Sequence, residues 1–98
     1  MAQMGELNLV FADGDRLSGG CDTLTVTNLN ETDVHLSFDI YFSDKAPVKG
    51  LTCTLAAERV ICFRLDEPLG DQKYNIPPGK YSLVLHSDLP VVAVFGKL

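Results

Sequence analysis

Between Val34 and Phe42 an apolar side chain stands at every second position: Val34, Leu36, Phe38, Ile40 and Phe42 alternate with His35, Ser37, Asp39 and Tyr41. Only an extended backbone puts all five on one face, since a helix would turn Leu36 and Ile40 away from Val34, Phe38 and Phe42. The segment is a strand with one face made for a core. Thr23-Leu24-Thr25-Val26-Thr27 repeats the alternation in residues of high strand propensity, and the turn formers of Asn28 to Asp33 predict a hairpin loop between the two. Further strands are expected at Leu7–Ala12, Leu51–Leu55, Arg59–Leu65, Lys80–His86 and Val91–Lys97. They are punctuated by Asp13-Gly14, Ser18-Gly19-Gly20, Lys49-Gly50, Pro77-Pro78-Gly79 and Leu89-Pro90. Pro78-Gly79 suits the central positions of a type II turn, and the proline-containing stretch Asp66 to Pro78 reads as a long crossover loop. Seven short strands, no helix and one long crossover predict an all-β fold, an antiparallel two-sheet β-sandwich of jelly-roll type.

A chain of 98 residues, 46% hydrophobic and 21% charged, holds one domain, 1–98, and has too little polypeptide for a large enzyme cleft with its own lid. Its net charge of −5 argues against nucleic acid or anionic lipid as the default partner. Met1 to Glu6 carries no positive charge and leads into only a short apolar stretch, so no secretory signal is expected. The longest apolar run, Val91 to Phe95, is far too short to cross a bilayer as a helix, and a cytoplasmic location follows. Cys21, Cys53 and Cys62 form no C-x-x-C pair and read as buried thiols. Cys53 and Cys62 flank the turn Ala56-Ala57-Glu58-Arg59, which would set them opposite each other across a hairpin. A structural disulfide there is not expected in a reducing compartment.

Two segments break the rule that one face of a lone sandwich sheet is wet. Val91 to Phe95 is apolar on both parities, and Val60-Ile61-Cys62-Phe63 nearly so. With little chain to spare as cover, the outward Val92 and Val94 are expected at a homo-oligomer interface.

Chemistry-bearing patterns are sparse. His86-Ser87-Asp88 contains the residue types of a hydrolytic triad, but neighbours on a strand point apart and cannot form the relay, so a strand ending in a turn is expected, with Ser87 or Asp88 bonding local amides ahead of Pro90. His35, His86 and Asp39 lack the spacing of metal ligands, and no metal or cofactor is expected. Asp13-Gly14-Asp15 and Ser18-Gly19-Gly20 lack the helix and lysine of a phosphate loop. The eight basic residues do not cluster with aromatics along the chain. Tyr41 lies on the polar parity of its strand, where the core does not require its ring, and Ser43, Asp44, Lys45 and Pro47 follow in a turn. Ser43 and Asp44 can cap that turn, Pro47 stiffens it, and Lys45 can pair with Asp44. These five residues form the candidate binding surface, with a well-formed turn that shapes a subunit contact as the plainer alternative.

Tyr41-Phe42-Ser43-Asp44-Lys45-Ala46-Pro47-Val48 resembles the "YYSDKEPV" segment of the sensory rhodopsin transducer family. Phe11-Ala12-Asp13-Gly14 is similar to that family's first-strand "AEG" region, and Ser87 to Val92 to its "SNVPIVV" segment. The resemblance implies a small cytoplasmic β-sandwich related in shape to carbohydrate-binding modules, assembled as a homotetramer and relaying a signal from a membrane photoreceptor. Two differences stand beside it: the family continues into a tail beyond the position of Leu98, and its loop at Arg16 to Gly20 is longer. The expected function is a non-enzymatic signalling or adaptor module whose partners are copies of itself and a membrane receptor or other signalling protein. The alternative is a module that binds a small ligand such as a sugar.

Overall fold

The computed structural model describes residues 2–15, 22–77 and 79–97, with side chains at 8–11, 22–77 and 79–96. Cys21, the Ser18-Gly19-Gly20 turn and Pro78 of the expected type II turn lie outside the described residues. Six strands follow in order: β1 (Ala2–Asp15), β2 (Asp22–Thr27), β3 (Val34–Phe42), β4 (Val48–Leu55), β5 (Val60–Arg64) and β6 (Lys80–Lys97). No helix occurs among the described residues. The all-β antiparallel expectation holds, and every pairing is antiparallel within one continuous sheet of order β4-β3-β6-β2-β5 with β1 along β6. That single ladder leaves the expected separation into two sheets unestablished.

The sheet is built on bent strands. β6 pairs with β3 from Tyr81 to Ser87 and with β2 from Val92 to Lys97, while β1 follows it on the other edge. β2 and β3 are thus successive lengths of one edge, and the hairpin expected between them does not form. β4 and β5 repeat the arrangement, β4 on β3 and β5 on β2. The anticipated Cys53–Cys62 hairpin is absent for the same reason, and both thiols are free; against the expectation of buried thiols, Cys62 is exposed and Cys53 only half-buried.

The bend sits at Ser87 to Pro90. Across it β6 advances from His86 to Val91 while β1 moves only from Asn8 to Glu6. Pro90, which has no N–H to give a ladder, falls in the gap between the β3 and β2 pairings. That is why the two strands expected at Lys80–His86 and Val91–Lys97 are one. The excursion satisfies itself: Ser87 Oγ donates to the Leu89 carbonyl and accepts from Leu89 N at 3.3 Å, and Asp88 Oδ1 accepts from His35 N at 2.8 Å.

At the same corner Asn28 is fully buried. Its Nδ2 lies 2.9 Å from the Thr32 carbonyl oxygen, 3.1 Å from that of Ala56 and 3.3 Å from that of Leu55. Its Oδ1 accepts from Asn30 N and Nδ2, each at 2.9 Å, and Asn30 Nδ2 lies 2.8 Å from the Pro90 carbonyl oxygen. One amide therefore ties the β2–β3 corner to the β4–β5 corner, and its neighbour ties both to the bend in β6.

Folding the halves together makes the core. Leu9, Phe11, Leu24, Val26, Val34, Leu36, Phe38 and Ile40 are all buried on the inner face, with Leu83, Leu85, Val91 and Ala93 from β6. Phe42 packs at the margin. Phe38 on β3 meets Phe63 on β5 edge to face with centroids 5.2 Å apart, and Phe11 stacks on Phe95 at 5.4 Å. The long connection from β5 to β6 closes over the core, with Leu65, Leu69 and Ile76 buried. It also shields the β4 edge, since Asp71 N donates to Thr52 O at 2.6 Å and Thr52 N to Gln72 Oε1 at 2.8 Å. Gly70, at φ +75°, is needed there because a Cβ would stand 3.1 Å from Thr52 O. Gly50, at φ +77°, lies in a β-bulge opposite Asp39, so β4 begins at Val48 rather than after that glycine.

Two outcomes follow. Phe38→Ala should cost about 3–5 kcal/mol in urea unfolding, by lost burial plus the cavity left behind; a neutral effect would contradict the packing of the halves. The Cys53 thiol is pushed up to about 11, first by burial and then by the Asp71 carboxylate, so in a Cys21→Ser background a disulfide reagent near pH 8 should label exposed Cys62 well before Cys53. With the folded value raised above 9.0, Cys53 should favour folding below about pH 9 and lose that contribution as pH rises through 11. Equal labelling rates would contradict this placement.

Candidate functional site

Positions facing away from the core fall into three regions, each fixed by strand register. The first is the β3–β4 turn. β3 delivers Tyr41 outward, 40% exposed, and Ser43, Asp44, Lys45, Ala46 and Pro47 are all exposed beyond it. The structure brings the five sequence-derived residues to one end of the sheet. Lys45 Nζ lies 3.6 Å from Asp44 Oδ1, the pair anticipated from the sequence, and 5.1 Å from the Phe42 ring centroid. Being exposed, the ion pair adds little stability. The capping role expected of Ser43 and Asp44 is not seen: no described backbone amide bonds to either side chain. The structure also adds partners that the local sequence does not show. Lys49 Nζ stands 5.5 Å from the Tyr41 ring centroid. The pairings Tyr41–Ser82 and Phe42–Tyr81 bring the start of β6 alongside, where a hollow of about 240 Å³ is lined by Tyr41, Phe42, Ser43, Lys80, Tyr81 and Ser82. Basic and aromatic side chains that are scattered along the chain meet here.

The second region is an open cleft of about 410 Å³ on the outer face of β3, β4 and β6. His35, Ser37, Thr52, Thr54, Asp71 and Asp88 are among its lining residues. Register aligns Asn8, His86, Ser37 and Thr52 in one row across four strands. His86 Nε2 lies 3.0 Å from Asp39 Oδ2 and Nδ1 lies 2.5 Å from Asn8 Oδ1, while Asp39 Oδ1 accepts from Gly50 N at 3.0 Å. His35 is held apart, its Nδ1 3.3 Å from Thr54 Oγ1. The structure therefore joins His86 to Asp39 but leaves His35 out, and among the described residues no group of three His, Cys, Asp or Glu side chains could hold a metal. His86, Ser87 and Asp88 each turn to a different partner, so they form no catalytic relay.

The third region is apolar. The outward rows Val92–Thr27–Val60 and Val94–Thr25–Cys62 run across β6, β2 and β5. Val94 is 43% exposed and Val60 62%. The outward direction expected for Val92 and Val94 holds, although Val92 is half-buried. No helix among the described residues is long and apolar enough to span a membrane.

Against this geometry the comparisons with known proteins are specific. The chain is similar in structure to the Anabaena sensory rhodopsin transducer, with a TM-score of 0.83 and 29% identity over 96% of this chain and 90% of that one. It shares its fold with a protein described as Thermotoga maritima 1070, with a TM-score of 0.75 and 20% identity over 96% of this chain and 91% of the other. No curated protein matches it in sequence. The family model described as Anabaena sensory rhodopsin transducer matches residues 10–98. That match takes in the β3–β4 turn, the bend in β6 and the outward apolar rows alike, and the chain belongs to the Anabaena sensory rhodopsin transducer family.

Proposed function

We propose that the chain is a non-enzymatic signalling or adaptor module of the cytoplasm, acting as a homo-oligomer that engages a membrane receptor or another signalling protein. In this reading residues 1–98 work as one domain, and the two facing halves of the sheet serve as the layers of a jelly-roll-like sandwich. The observation that carries the reading is the pair of outward rows around Val92 and Val94, in which Val94 and Val60 are exposed and Val92 half-buried, in a member of a transducer family. Apolar side chains standing together on a sheet face are protected when a second copy covers them. The family resemblance favours four copies. The β3–β4 turn lies at the far end of β3 from the corner and away from these rows, which leaves Tyr41, Ser43, Asp44, Lys45 and Pro47 free to meet a partner while the module is assembled.

A second reading rests on the outer cleft. Its hydroxyl, imidazole and carboxylate groups offer both donors and acceptors to a polyhydroxylated ligand such as a sugar. The cleft has no aromatic floor, which makes this the weaker reading.

Light scattering at micromolar concentration should give a mass several times 10.7 kDa, and Val94→Asp should dissociate the assembly by burying an unpaired charge. A monomeric wild type would overturn the self-association. Replacing Tyr41 and Asp44 together with Ala should abolish binding to a detergent-solubilised sensory rhodopsin while leaving mass and melting temperature nearly unchanged. If the double variant instead falls apart into monomers, the turn is architectural and the site assignment fails.

A further inference from the structure

The hollow beside the β3–β4 turn combines features that self-association does not use. We infer that it is a binding site for a phosphomonoester, with Lys80 and Lys49 supplying charge and Tyr41, Ser43 and Ser82 supplying hydroxyl donors. This goes beyond the signalling reading and does not depend on it.

Charge is the first argument. The protein is acidic overall, with a net charge of −5, yet three lysines lie at this one end of the sheet. Lys80 lines the hollow directly, while Lys49 and Lys45 stand over the rings of Tyr41 and Phe42, which form two of its walls. Lys45 is paired with Asp44. Among the described side chains Lys49 and Lys80 form no ion pair, although the β1–β6 ladder sets Asp15 opposite Lys80. A cation held over an aromatic face keeps its remaining donors turned outward, and cations gathered at one concavity focus the local field on an anion.

Hydrogen-bonding capacity is the second argument. The hydroxyls of Tyr41, Ser43 and Ser82 pair with no described residue. Tyr81 contributes only its ring to the floor, because its hydroxyl turns inward to donate to buried Asp22 Oδ2 at 2.7 Å. Three hydroxyls and the Lys80 ammonium at one small concavity, with Lys49 over the Tyr41 ring beside it, offer more donors than a single carboxylate needs. They match a tetrahedral group bearing close to two negative charges and three terminal oxygens. At about 240 Å³, the space suits a phosphate on a small alcohol rather than a nucleotide base as well. Register explains why the site exists only in the folded chain: Ser82 is carried opposite Tyr41 by the β3–β6 pairing, and Lys80 follows from the same strand.

The experiment is an NMR titration of the isotopically labelled full chain with glycerol 3-phosphate at constant ionic strength, with glycerol as the uncharged control. Saturable shifts centred on the amides of Ser43, Tyr81 and Ser82 are expected with the phosphate ester and not with glycerol. Lys80→Gln and Lys49→Gln should each weaken binding about tenfold, the loss of one charge-assisted contact, whereas Arg59→Gln, at the opposite corner of the sheet, should leave it unchanged. Flotation with phosphatidylcholine vesicles, with and without phosphatidic acid, identifies the source. Vesicle binding that requires phosphatidic acid and is lost in Lys80→Gln assigns the phosphate to a lipid headgroup, and response to glycerol 3-phosphate without flotation assigns it to a soluble ester. No response in either arm overturns the site. So does binding weakened as much by Arg59→Gln as by Lys80→Gln, since that would be unspecific attraction. Melting curves of the variants confirm that each is folded.

Discussion

One buried amide determines how this chain turns from alternating sequence into a closed core. An antiparallel sheet with a single apolar face must cover that face, and here it does so by folding across its own strands. Such a fold interrupts the ladder along one line, and the backbone groups on that line, some buried and some still partly exposed, lose their ladder partners and must find others. Asn28 supplies them for the β2–β3 and β4–β5 corners together, and Asn30 extends the connection to the carbonyl of Pro90. The bend in β6 meets the same requirement through Ser87 and Asp88. With the corners joined, Phe38 on one half faces Phe63 on the other, and the crossover can close over the core with Leu65, Leu69 and Ile76.

What the sequence discloses and what it hides divide along a physical line. A period of two is a local property, so the inward set from Val34 to Ile40 could be read directly, as could the two-sided apolar character of Val91 to Phe95. Corners are not local. Asn28 to Asp33 carries turn formers whether the chain reverses on itself or merely bends, and only the long-range pairing of β2 and β3 with β6 distinguishes a hairpin from a continuation. Leu89-Pro90 misleads in a similar way, since proline ends a strand only where a ladder amide is required, and Pro90 sits where none is.

The candidate site follows the same logic. Tyr41 to Pro47 was legible because an outward aromatic and a turn adjoin in the sequence and match the family pattern. Lys80, Tyr81 and Ser82 were not, because about forty positions separate them from Tyr41 and only the β3–β6 register brings them alongside. The pairing of His86 with Asp39 was hidden for that reason as well. Once formed, the sheet keeps its surfaces apart: apolar rows on β6, β2 and β5, a polar cleft over β3 and β4, and the lysine-flanked hollow at the end of β3. A module arranged in this way can self-associate on one face while presenting different chemistry at its end.

The most direct test of this account is the unfolding free energy of Asn28→Ala measured in urea against wild type. The substitution creates almost no apolar cavity but removes two N–H donors shared among three carbonyls, that of Leu55 buried and those of Thr32 and Ala56 part-buried, together with the acceptor of the Asn30 amide groups. Each buried group left unpaired costs about 1–3 kcal/mol, so a loss of more than about 3 kcal/mol is expected, a large share of the roughly 5–15 kcal/mol that holds a typical domain together. A loss below about 1 kcal/mol, with the Phe38–Phe63 contact still seen by NMR, would show that the halves of the sheet close without this amide and would contradict the role assigned to it.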